Sequence, residues 1–172
     1  MERDTLLRFP QPPKSPPMNE ELRVPTIPLE AEIRYANGQL MTGRIFLPAR
    51  AIHHTGAMRP DEWINQSSTF FPFVVAAEKG ARILNKKYVV VLTVPAQHDE
   101  IDLIEELGVA RRVHVECGGT AVEGIVHVNM PDTQSRVLDW VNRPEPFLLV
   151  RESNRWHIVQ KNRITMLTEL GD

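Results

Sequence analysis

The residues best suited to chemistry come as two short, matching blocks. Asp61-Glu-Trp63-Ile-Asn65 and Asp139-Trp140-Val-Asn142 each set an indole two residues before a carboxamide. An indole offers a flat π face and an amide offers a donor and an acceptor together, a combination that can stack on and hydrogen-bond an unpaired nucleobase. The same residues suit a structural task equally well: the indole plugs the open end of a small core while the amide satisfies turn backbone groups. A nucleic-acid role also needs cations. Lys86-Lys87 and Lys161-Asn-Arg163 supply them in two further turns, with Arg59, Arg136 and Arg143 close to the indoles in sequence. Acids at Glu105, Glu106 and Glu152 dilute the basic field around Arg111-Arg112, Arg151 and Arg155. The candidate ligand- or RNA-binding set is therefore Trp63, Asn65, Lys86, Lys87, Trp140, Asn142, Lys161 and Arg163.

Nothing else points to a reaction. There is no Gly-rich phosphate loop, no GxSxG elbow and no carboxylate pair set apart by its context. Cys117 precedes Gly118-Gly119, which reads as a hairpin turn, and no helix N-terminus or cation stands beside it to lower its pKa. His53 and His54 are adjacent and point apart in an extended segment, and the His114–Cys117 spacing fits no zinc pattern. The expectation is a protein that is not an enzyme, with no catalytic residues, no cofactor and no metal.

Bulk properties narrow the partners. The 172 residues carry a formal charge of −2, so no global positive field draws in nucleic acid. One cysteine excludes an intrachain disulfide and fits a reducing compartment. No apolar run approaches the roughly 18 residues of a membrane span, and Met1–Arg8 lacks the apolar stretch of a secretory signal. These features predict a cytoplasmic protein without membrane contact.

The elements that must position the blocks follow from periodicity. Half of the 14 prolines fall within residues 1–28, which read as an extended arm, with Pro13-Lys-Ser-Pro16 as a PxxP segment. From residue 30 the apolar period is two. Ile33 and Tyr35 lead into Asn37-Gly38, read as a two-residue hairpin turn, and Leu40–Leu47 returns. Phe70–Ala76, Arg82–Asn85 and Tyr88–Val94 follow as strands. Residues 97–107 switch to helical spacing, with Asp99 as cap and Gly108 at the C-terminal end.

The first pattern then recurs. Val113 and Val115 parallel Ile33 and Tyr35, Gly118 parallels Gly38, and Gly124 parallels Gly43, which puts one extra residue in the second turn. The Trp/Asn blocks correspond; Phe147–Val150 parallels Phe71–Val74, and Ile158–Leu167 parallels Ile83–Leu92. Five blocks in one order mark an internal repeat.

Asn37-Gly-Gln-Leu-Met-Thr-Gly43-Arg-Ile45, with the turns Asn85-Lys-Lys-Tyr-Val89 and Gln160-Lys-Asn-Arg-Ile164, resembles the Sm-like family, including the Hfq RNA chaperones. The likeness spans about two-thirds of the chain. It implies a bent five-stranded barrel, a helix stacked on it, assembly through strand edges and binding of single-stranded RNA. Two features depart from the family: the connection after the second strand is long here, and Lys87 and Asn162 stand where its turn histidine would be. An SH3-like barrel has a similar strand count. A PilZ-type barrel is set aside, because no D/NxSxxG segment is present.

The expected fold is mostly β: two tandem five-stranded small barrels, Sm-like or SH3-like, joined by a short α-helix. The expected domains are an arm at 1–28, a first barrel at 29–95, a linker helix at 96–108 and a second barrel at 109–172. The expected function is a non-enzymatic protein-interaction or assembly module that binds protein partners and self-associates through sheet edges. Single-stranded RNA binding is the alternative, disfavoured by the net charge and the missing histidine.

Overall fold

Alternating apolar residues, broken by glycine turns, fold into ten strands in the computed structural model, which describes residues 25–52, 55–96, 108–130 and 136–171. These are β1 (Thr26–Tyr35), β2 (Leu40–Pro48), β3 (Phe70–Val75), β4 (Ala81–Asn85), β5 (Val89–Pro95), β6 (Val109–Cys117), β7 (Thr120–Val128), β8 (Phe147–Arg151), β9 (Arg155–Gln160) and β10 (Ile164–Glu169). Two five-residue helices, α1 (Pro60–Ile64) and α2 (Val137–Val141), occupy the β2–β3 and β7–β8 connections. The expected helix at 97–107, residues 1–24 of the arm and His53-His54 lie outside the described residues. β1 starts at Thr26, inside the stretch read as arm.

The ten strands form one antiparallel sheet in the order β10-β6-β7-β8-β9-β5-β1-β2-β3-β4. Each half repeats the same internal order: last strand, first, second, third, fourth. The halves meet where β5 pairs with β9, from Val91 opposite Val159 to Pro95 opposite Arg155. The sheet is therefore open, and the two closed barrels expected from the sequence are corrected to one continuous sheet. The cause is local. A 3-10 turn at Lys86–Tyr88 carries the chain from β4 across to the far side of β1, and β9 takes the edge of β5 that would be needed to close the first half.

Two apolar clusters fill the halves. The first gathers Ile33, Ile45, Ile64, Phe73 and Leu92, and the second Val113, Val115, Val126 and Val150. They exchange members at the junction. Phe147, Trp156 and Ile158 of the second half pack in the first cluster, while Val90 and Val91 of the first half pack in the second.

The register corrects two sequence alignments. Ile33 lies opposite Leu92 and Met41, and it is Val115 that lies opposite Leu167 and Val122. Val115 thus matches Ile33, and the second hairpin is one residue shorter than the first rather than longer. The turn chemistry explains it. Gly118 and Gly119 both have positive φ (52° and 78°) and close a two-residue turn, whereas at Asn37-Gly38 only Gly38 does (83°). The first turn is therefore wider, closed by Tyr35 N–H donating to Gln39 O at 2.9 Å. Likewise Phe147 opposite Gln160 matches Phe70 opposite Asn85, so the third strands correspond one residue earlier than the apolar runs suggested.

Gly43 and Gly124 are fixed by close approach. A Cβ at Gly43 would lie 2.1 Å from Val74 O, and one at Gly124 would lie 2.5 Å from Arg151 O. The same contact recurs in both halves, where the second strand bends against the third.

Candidate functional site

The richest polar constellation lies at the seam between the halves, and Asn65 is its centre. Asn65 follows α1, a helix that Pro60 starts at its first position and that carries Asp61 and Glu62 in its first turn. The Asn65 amide donates to Asp61 O at 2.9 Å and to Phe147 O at 3.1 Å, and its Oδ1 accepts from Phe147 N–H at 2.9 Å. One side chain thereby reads both backbone groups of the first residue of β8 and seats the Phe147 ring in the first core.

The lysines serve the same architecture. Lys86 is buried, donates to Gln66 O at 3.0 Å and lies 5.9 Å from the centre of the Trp63 ring. Lys161 donates to Val141 O at 3.0 Å and to Arg143 O. Each ammonium thus caps the carbonyls at the end of the short helix in its own half, where the backbone lacks intrahelical donors. Burial lowers the pKa of Lys86. Burial also lowers that of Lys161, with Glu145 raising it and Arg143 lowering it further. Across the seam, Arg163 donates to Lys87 O at 3.2 Å, and Thr93 Oγ1 meets His157 Nδ1 at 3.0 Å.

The sequence-derived site is thus brought together in part. Trp63 is buried edge-on to Phe71, with ring centres 5.2 Å apart, and Lys86 is buried beside it. Trp140 and Lys161 line a cleft of about 300 Å³ at the seam, with Asn65, His127, Arg143 and Arg151. Two of its cations are paired, Arg59 with Asp61 and Arg143 with Glu145 at 3.0 Å. Lys87 and Asn142 are exposed. Cys117 faces the second core, where burial raises its thiol pKa against the lowering effect of Arg34.

Sequence reasoning missed Trp156, which is wholly buried in the neighbouring half, and the pairing of β5 with β9. The signal for the first was the alternation Trp156, Ile158 beside the polar Arg155 and His157; the second leaves no local trace.

The same positions behave differently at the seam and at the sheet's ends. Phe147, Ile158 and Val91 are 4%, 0% and 5% exposed, while their counterparts Phe70, Ile83 and Met166 are 56%, 68% and 49% exposed. Val91 and Ile158 lie where β9 meets β5, and Phe147 lies on β8 beside β9; the others lie on or beside β4 and β10, which have one neighbouring strand each among the described residues. Comparison of the chain with protein-family models, curated proteins and solved structures returned no match.

Proposed function

We propose that this chain is a non-enzymatic assembly module of two Sm-like units that joins protein chains through the free edges of β4 and β10. One observation carries the reading: the apolar side chains left bare at those edges stand at the positions that the seam buries. Burying a large apolar side chain is worth about 1.5–3 kcal/mol, so three bare ones favour a covering partner. An edge strand also offers unpaired N–H and C=O groups, which another strand satisfies at once.

Single-stranded RNA binding is a second reading, and it retains Lys87 and Arg163, which meet on one side of the seam. It loses weight because Lys86 and Lys161 spend their donors on backbone carbonyls.

Sedimentation velocity of the full chain tests the first reading. Assemblies larger than one chain are expected at micromolar concentration, and Ile83→Lys or Met166→Lys should return them to single chains without loss of folding. A wild-type chain that sediments singly, yet retains a short RNA in low salt and loses it on Lys87→Glu with Arg163→Glu, would replace that reading with the second.

A further inference from the structure

The seam contains a polar device that the second half repeats without using. Asn142 follows α2 as Asn65 follows α1, and it stands in the same place relative to the following strand. Among the described residues its side chain makes no hydrogen bond, and it is exposed. It borders a cleft formed with Val141, Pro146, Lys161, Ile164 and Leu167. The counterparts of three of these in the first half, Ile64, Val89 and Leu92, are each wholly buried, because Phe147 and β9 cover that end. In the second half Val141, Ile164 and Leu167 are only half-buried. Among the described residues the socket exists twice and is filled once.

We propose that this cleft receives Phe70 of a second copy of the chain, with Asn142 clamping the Phe70 backbone as Asn65 clamps that of Phe147. The inference rests on the assembly reading and names its partner. The occupant is set by the molecule's own precedent. The ring that fills the first socket opens β8, and its counterpart Phe70 opens β3 with its side chain bare. The register follows from the seam, where Leu92 lies opposite Ile158 and Thr93 opposite His157. Transposed, Leu167 lies opposite Ile83 of the second copy and Thr168 opposite its Arg82, whose guanidinium is held within its own chain by Glu78. The contact is head-to-tail, β10 of one chain to β4 of the next, so it leaves one edge of each kind open and propagates until it closes on itself.

Two measurements on the full chain test this. Asn142→Ala should weaken self-association by about 10- to 100-fold, since two interface hydrogen bonds are lost, while the thermal unfolding of the single chain stays unchanged. The double variant Ile83→Cys with Leu167→Cys should form interchain disulfides on mild oxidation, because directly opposite residues bring their Cβ atoms within bonding reach. The pair Ile83→Cys with Thr168→Cys points its sulfurs to opposite faces and should not. A chain that assembles normally with Asn142→Ala, or that cross-links only in the shifted pair, overturns the socket while leaving edge assembly standing. A wild-type chain that stays single at every concentration overturns both.

Discussion

At the scale of a residue, Asn65 carries more of the architecture than any other polar group. Its amide is the only side chain among the described hydrogen bonds that holds both backbone groups of one residue in the other half. Replacing it removes three hydrogen bonds and leaves Phe147 N–H and O without partners in a half-buried place. Asn65→Ala should therefore destabilise the fold by about 2–4 kcal/mol. For a chain of this length that lowers the melting temperature by roughly 5–12 °C. Asn65→Asp is informative beside it. A carboxylate still accepts from Phe147 N–H, but it faces the Phe147 and Asp61 carbonyls with no proton to donate, so it should recover little of the loss at neutral pH. Equal melting temperatures for wild type and Asn65→Ala, by circular dichroism, would show that the seam does not depend on this amide. The sequence marked Asn65 as special by its recurrence with Trp63, but both uses of an amide remained open, because its partner lies 82 residues away.

At the scale of an element, the paired glycines show how a strand is bent. Gly43 and Gly124 leave room for the carbonyls of Val74 and Arg151 where the second strand crosses the third. Both glycines were visible in the sequence as a repeat landmark, since a glycine inside an apolar alternation signals close approach. Gly124→Ala places a methyl inside van der Waals contact of a backbone carbonyl that no rotamer can move aside. It should cost about 2 kcal/mol or more by forcing β7 from β8, and amide exchange should quicken along β8 before the rest of the sheet. Uniform exchange in the variant would argue against a local fault. The repeat itself was legible because alternation, glycines and Trp/Asn blocks are local signals. The residue-level alignment was not. The shift at Val115 arose because two glycine turns of different width look alike in one dimension. The shift at Phe147 arose because Phe70-Phe71 and Leu148-Leu149 are continuous apolar runs that slide past one another without penalty until a pairing register fixes them.

At the scale of the whole molecule, the two halves complete each other's cores rather than standing as two beads. A pair of independent barrels would each keep its own interior. Here β5 is buried along Val89–Leu92 because β9 covers its free side, and Trp156, Phe147 and Ile158 complete the first core from the second half. Neither half can unfold without stripping apolar surface from the other. That pairing was beyond sequence reading, because nothing local in Val90-Val91 or Ile158-Val159 names the strand that each will meet. Urea unfolding followed by tryptophan fluorescence and by far-ultraviolet circular dichroism should then give coincident transitions, although the two methods weight the halves differently. Ile158→Ala opens a cavity in the shared core and should shift both curves together by about 2–5 kcal/mol. Its partner across the seam, Leu92, offers the complementary substitution. If Leu92→Ala and Ile158→Ala produce two separated steps, the halves fold separately, and the seam is a docking contact between finished units. A single displaced step in both variants means that the order β9-β5 is formed with the cores, and that the exposed edges at β4 and β10 belong to a body already rigid before any second chain arrives.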